Sequence, residues 1–132
     1  MNILSDQEFG QLISRAMDEL PQEYIKGLDN VAVVYADEPD EYQKDKSGLR
    51  SGDLLLGLYE GIPLTSRGAG YTFVLPDKIT IFKLALLHIS ATPDDLFENV
   101  KRTLWHEIAH FYGLDHDRID FLEGRSGHHH DS

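Results

Sequence analysis

The 132-residue sequence contains no cysteine. This absence excludes a disulfide framework, and it also excludes thiolate ligation of a metal ion. Histidine and carboxylate are therefore the only strong metal-ligand types that the chain offers. A chain that depends on no disulfide suits a reducing compartment, so we expect a cytoplasmic protein.

Basic residues are also scarce. Twelve lysines and arginines stand against 23 aspartates and glutamates, which gives a formal net charge of −11 at pH 7. Binding nucleic acid depends on lysine and arginine displacing counterions from phosphates, so this balance argues against a nucleic-acid partner. No apolar run approaches the roughly 18 residues of a membrane span, and the N-terminus lacks the basic and apolar regions of a signal peptide. We expect neither a membrane segment nor export.

The length leaves room for one domain with a modest core. We expect a single domain over residues 1–125, closed by a short helix that Gly124 stops. Residues 126–132, which include three neighbouring histidines, are predicted to be a disordered tail. We expect the protein to be a monomer.

Helix and strand signals alternate along the chain. Ser5 and Glu8 form a capping box, and a 3.6-residue apolar period then predicts a helix that ends before Pro21. Residues 31–35 are a continuous, largely β-branched run, typical of a central strand covered on both faces. The acidic segment 37–45 is predicted to be a loop. Further strands are predicted at residues 54–59 and 78–82, and a short helix at residues 84–90.

The longest predicted helix begins at Thr92-Pro93-Asp94-Asp95, which combines an N-cap, a proline at the first position and acids near the positive end of the helix dipole. It runs to about residue 112. One face carries an apolar stripe, and the other carries polar residues that include two histidines. The stripe comprises Leu96, Phe97, Val100, Leu104, Ile108 and Phe111, and the polar face comprises Asn99, Thr103, His106 and His110.

The last part of this helix reads H-E-x-x-H-x-x-G-x-x-H. His106 and His110 are separated by about 40° of rotation and about 6 Å of rise, so both rings can hold one metal ion. Glu107 lies beside the metal rather than on it, in reach of a metal-bound water, as a general base would. Gly113 can end the helix and bring His116 round as a third ligand, which leaves one coordination position open, as in catalytic zinc sites. A run of solvated surface histidines is the alternative.

This motif resembles that of the zincin metallopeptidases. Its extended spacing is similar to the metzincin branch, but no methionine follows His116, so the Met-turn of that branch is absent. The closer resemblance is to the minimal zincins, a family of short bacterial zincin-like metallopeptidases. It rests on residues 54–64 (LLLGLYEGIPL), residues 75–82 (LPDKITIF) and the metal helix.

The resemblance implies an α+β fold in which a small twisted mixed sheet packs on two main helices. It also implies His106, His110 and His116 as zinc ligands and Glu107 as the base. The third ligand varies in that family and can be acidic, so Asp117 is the alternative to His116, which the spacing favours. An edge strand that pairs with substrate is implied as well, and we expect it within residues 68–74 or 78–82.

These features predict a zinc-dependent metallopeptidase that hydrolyses bonds in peptides or unfolded proteins by a zinc-activated water. Tyr59, Tyr71, Tyr112 and Arg67 are secondary candidates for contacts to the reacting carbonyl, although tyrosines at such positions usually pack. Two alternatives remain. One is a zincin-like binding module that a metal stabilises, with little or no turnover. The other is a metal-dependent endoribonuclease, which the glutamate after the first histidine and the acidic charge both disfavour.

Overall fold

The computed structural model describes residues 4–49, 53–62 and 76–114. These residues form five helices and three strands in the order α1 (Asp6–Glu19), α2 (Gln22–Lys26), β1 (Val31–Ala36), α3 (Glu41–Ser47), β2 (Gly57–Glu60), β3 (Asp77–Phe82), α4 (Lys83–Ile89) and α5 (Pro93–Tyr112). Among them no helix combines the length and the apolar composition that crossing a bilayer requires.

The three strands form one mixed sheet in the order β1-β3-β2. β1 runs parallel to β3, with Val33 opposite Ile79, and β2 runs antiparallel to β3, with Leu58 opposite Thr80. α5 packs on β2 and β3, and α1 packs on α5. The predicted α+β fold, a small mixed sheet on two main helices, is confirmed.

The helix ends follow the local sequence signals. Ser5 and Glu8 form the predicted capping box at the start of α1. Thr92 Oγ1 accepts a hydrogen bond from the Asp95 N–H at 3.0 Å, which caps α5. Gly113 closes α5 with φ of 75°, a left-handed conformation that residues with a Cβ rarely adopt. The predicted helix at residues 84–90 is present as α4.

Two predictions about the sheet are wrong. The run at residues 31–35 is typical of a central strand, but β1 is the outer strand beside β3 in the described sheet, and Val34 and Tyr35 are 38% and 37% exposed. A β-branched run indicates a strand without fixing its neighbours. The possibility that residues 78–82 form a substrate-pairing edge is also wrong, because β3 lies between the other two strands. Residues 68–74, the other possibility, lie outside the described residues.

The predicted acidic loop contains a helix. Asp40 accepts a hydrogen bond from the Gln43 N–H at 2.7 Å, and the Gln43 side-chain oxygen accepts one from the Asp40 N–H. This capping box starts α3, and Gly48 ends it with φ of 72°. The short helix α2, directly after Pro21, is not predicted by the sequence signals either, and β2 begins three residues later than the predicted strand at residues 54–59.

α5 is buried on both sides rather than on one. Its apolar stripe lies in the core as predicted, but Thr103, His106 and Glu107 on the polar side are only 1%, 7% and 1% exposed. β2 lies against that side of the helix, where the Tyr59 N–H reaches Glu107 and Gly57 comes close to Thr103. Thr103 and Glu107 therefore lie between a helix and a strand. They are neither solvated nor part of the apolar cluster.

Candidate metal centre

His106 and His110 lie side by side on successive turns of α5. Their ring centroids are 4.9 Å apart and the ring planes differ by 6°. The Nε2 atom of each ring is buried. Two parallel imidazoles one helical turn apart can present nitrogen atoms to a single cation.

Packing around the C-terminal half of α5 sets the rotation of the helix and so directs these rings. Trp105 makes an edge-on contact with Tyr24, with centroids 5.2 Å apart. Tyr112 donates a hydrogen bond of 2.6 Å from its hydroxyl to the Tyr24 carbonyl oxygen. Ile108 is fully buried on the same helix. These contacts hold the segment that carries both histidines.

Glu107 is held by the sheet. Its Oε1 accepts a hydrogen bond of 2.8 Å from the backbone N–H of Tyr59 in β2. The carboxylate belongs to the residue after His106, so this bond fixes a charged group on the helical turn that carries the first imidazole. A carboxylate that accepts a backbone N–H in a buried place is a strong, charge-assisted contact.

The third predicted ligand, His116, and its alternative, Asp117, lie outside the described residues. Within residues 4–49, 53–62 and 76–114, no three histidine, aspartate or glutamate side chains come together as a possible metal site. The described part of the chain therefore contributes two imidazoles and a neighbouring carboxylate. Gly113 turns the chain out of the helix immediately before residue 114.

Comparison with known proteins identifies the family. A family model described as zincin-like metallopeptidase matches residues 28–125. The chain belongs to this family. The resemblance to the minimal zincins is thereby confirmed.

Among solved structures, this zincin-like chain is similar to a conserved hypothetical protein from T. thermophilus, with a TM-score of 0.54 and 24% sequence identity. The match covers 91% of this chain and 98% of that one, and it supports the fold alone. No curated protein matches the chain.

Close approach between β2 and α5 in this zincin-like chain depends on a glycine. A Cβ at Gly57 would lie 2.7 Å from Thr103 Cγ2 and 3.3 Å from Glu107 Cγ. Contacts below 3.0 Å are essentially never made by a real Cβ, so a side chain at this position would push the strand from the helix. Gly57 thus allows the Tyr59 N–H to reach Glu107.

The secondary candidates make other contacts where they are described. The Tyr59 hydroxyl donates to Asp77 Oδ2 at 2.5 Å, and the Tyr112 hydroxyl donates to a backbone carbonyl. Asn99 donates to Ser90 Oγ at 3.0 Å and so ties α5 to the end of α4. Arg67 and Tyr71 lie outside the described residues.

Sequence reasoning missed the contribution of β2 to the site. The group that contacts Glu107 is a main-chain N–H, which every residue except proline possesses, so no residue type marks it. The available signal was Gly57 inside an apolar strand pattern, because such a glycine often marks a close approach of backbone to another group.

Proposed function

We propose that this chain is a zinc-dependent peptidase in which His106, His110 and His116 hold the metal and Glu107 acts as general base. The observation that carries this proposal is the parallel imidazole pair with a buried carboxylate on the adjacent residue. The donor set fits zinc, which takes imidazole nitrogen readily and needs no thiolate. When bound, zinc would supply a Lewis acid that polarises the peptide carbonyl and acidifies water.

The residues of the chain have separate tasks in this reaction. The imidazoles hold the cation in one place, because the packed core fixes the helix that carries them. Glu107 accepts a proton from the attacking water and returns it to the leaving amine nitrogen. Burial of the carboxylate between β2 and α5 limits competing contacts with bulk water. Peptides and unfolded protein segments are the proposed substrates.

The third ligand is part of the proposal. The left-handed turn at Gly113 directs the chain away from the helix axis, and His116 follows at the spacing that the motif predicts. Zinc affinity measured for His116→Ala and for Asp117→Ala separates the two alternatives. We expect the first substitution to weaken binding strongly and the second to leave it close to wild type.

The test of function compares the wild type with Glu107→Gln on a library of unstructured peptides. Both chains should end at Gly124, so that the three terminal histidines bind no stray metal. We expect equal zinc content in the two proteins, with cleavage by the wild type only. Removing a general base typically costs about 10²–10⁴-fold in rate.

A metal-stabilised binding module is the second candidate. The observation that favours it is the engagement of Glu107, whose carboxylate already accepts the Tyr59 N–H and is 1% exposed. In that case the carboxylate ties β2 to α5 and transfers no proton. Zinc in both proteins without cleavage by either would select this candidate.

A further inference from the structure

Glu107 forms a hydrogen bond with Tyr59 of β2, and the Tyr59 side chain is itself bonded to β3. The proposed function requires Glu107 to transfer protons at a defined place beside the imidazoles, and this inference rests on that proposal. The hydrogen bond from Tyr59 to Glu107 links the helix to β2.

The Tyr59 N–H points away from the neighbouring strand. Phe82 donates its N–H to the Leu56 carbonyl oxygen at 3.0 Å, so these two residues form a hydrogen-bonded pair between β3 and the start of β2. Hydrogen-bonded and non-hydrogen-bonded pairs alternate along an antiparallel ladder. Tyr59, which lies opposite Ile79, is three residues further along and falls at a non-hydrogen-bonded position. Its N–H is therefore directed outward, toward α5.

The side chain of Tyr59 is anchored at two points. Its hydroxyl donates to Asp77 Oδ2 at 2.5 Å, and Asp77 is 4% exposed at the start of β3. Its ring meets Phe111 of α5 edge-on, with centroids 6.1 Å apart. The same residue thus bonds to β3 through its hydroxyl, packs on α5 through its ring and bonds to Glu107 through its amide.

We propose that Tyr59, held by Asp77, is a positioning residue that fixes Glu107 through its backbone N–H for proton transfer. The chain of contacts runs from the Asp77 carboxylate to the Tyr59 hydroxyl, and from the Tyr59 amide to Glu107 Oε1. A displacement of the base by about 1 Å can cost on the order of 10²-fold in rate. The role of Tyr59 is accordingly to set the orientation of Glu107, and Tyr59 acts on the reaction through that residue.

The contact itself is tested in zinc-free protein, without any activity. Hydrogen exchange and the proton chemical shift of the Tyr59 amide are compared between wild type, Glu107→Gln and Glu107→Ala. Loss of one hydrogen bond should accelerate exchange of that amide by about tenfold in Glu107→Ala. The proton resonance should move upfield in both variants. The amides of Leu58 and Glu60, on either side, serve as internal references and should change by less than about twofold.

The positioning role is tested with Tyr59→Phe, which keeps the ring against Phe111 and removes the hydroxyl that bonds to Asp77. We expect kcat to fall about tenfold while KM and zinc content stay unchanged, because the lost interaction contributes only in the transition state. Thr92→Ala is the matched control. It loses a single hydrogen bond of 3.0 Å at the far end of α5, and its kcat should stay near wild type.

The outcomes separate this inference from the proposed function. Unchanged exchange and chemical shift of the Tyr59 amide in both Glu107 variants would overturn the contact, whatever the activity. A normal kcat in Tyr59→Phe, or an equal loss in Thr92→Ala, would overturn the positioning role. Accelerated exchange together with no cleavage by wild type would overturn the proposed function and leave the contact as a structural tie.

Discussion

Gly57 shows how strongly the candidate centre depends on single residues. The space between its Cα and α5 is too small for a methyl group, because Thr103 Cγ2 would lie 2.7 Å from it. Glu107 Cγ is the next side-chain atom, at 3.3 Å, a distance at which the neighbour must shift by a few tenths of an ångström. The methyl group of Thr103 is thus the principal obstacle to a larger residue.

Gly57→Ala should destabilise the protein by about 1–3 kcal/mol, the usual cost of overpacking a core. Thr103→Ser removes the obstructing methyl group, so the double variant should lose less stability than the sum of the single variants. A coupling of about 0.5–3 kcal/mol is expected for residues in contact. Urea unfolding of the four proteins in this cycle measures it, and strict additivity would show that the two residues do not meet.

Tyr112 provides a pH-dependent contribution to stability. Burial raises the pKa of its hydroxyl above the usual value, and the neighbouring Tyr24 raises it further. An acid whose folded pKa is raised stabilises the fold below the unfolded pKa, which is about 10 for tyrosine, and this stabilisation is lost as the pH rises through the folded pKa.

Wild type should therefore lose more stability than Tyr112→Phe as the pH rises above about 10. The free energy of unfolding, measured from about pH 8 upward in urea, gives the difference. At the lower end of that range the variant should be less stable by about 1 kcal/mol, because it lacks the bond to the Tyr24 carbonyl. Parallel curves for the two proteins through the alkaline range would contradict the assignment.

At the scale of elements, α5 is predicted well because its signals are local. Thr92 caps the first turn, Pro93 occupies the first helical position, and Gly113 adopts the left-handed conformation that ends the helix. The position of a strand in a sheet is a different kind of property. The sequence predicts β1 as a strand, but its place beside β3 depends on the partners that the rest of the chain supplies.

The acidic segment 37–45 is predicted to be a loop, but α3 begins within it. Its net negative charge suggests a solvated loop, and this signal obscures the local capping signal of Asp40 and Gln43. A capping box starts a helix even where the segment is polar on all sides. By contrast, Gly57 signals a close approach of backbone without naming the partner, so the burial of Glu107 under β2 could not be predicted from sequence.

Thr92→Ala tests whether the start of α5 acts independently of the site near its other end. The substitution removes the cap hydrogen bond to Asp95 and should cost about 1 kcal/mol of stability. Thr92 and His106 are separated by about 21 Å along the helix axis, at about 1.5 Å of rise per residue. Zinc affinity should be unchanged within about twofold, as expected for distant, independent sites. A parallel loss of stability and zinc binding would contradict this separation.

At the scale of the whole molecule, three described strands form a sheet that packs with two main helices. In this arrangement the H-E-x-x-H motif of α5 lies against β2. The sequence was sufficient to recognise the zincin-like family, because the motif spacing and the flanking helix signals are local. The packing of β2 over the motif is seen only in the structure. The roles of His106, His110 and Glu107 remain the proposal that this arrangement supports.

The most direct test of the central claim is calorimetric zinc titration of the zinc-free chain ending at Gly124. Wild type should bind one zinc ion per chain, and zinc at about 100 times its Kd should stabilise the fold by about 2.7 kcal/mol. His106→Ala and His110→Ala should each lose this binding, whereas His88→Ala, which alters an exposed histidine of α4, should bind as wild type does. Undiminished zinc binding by either of the first two variants would contradict the claim that these imidazoles share one metal ion.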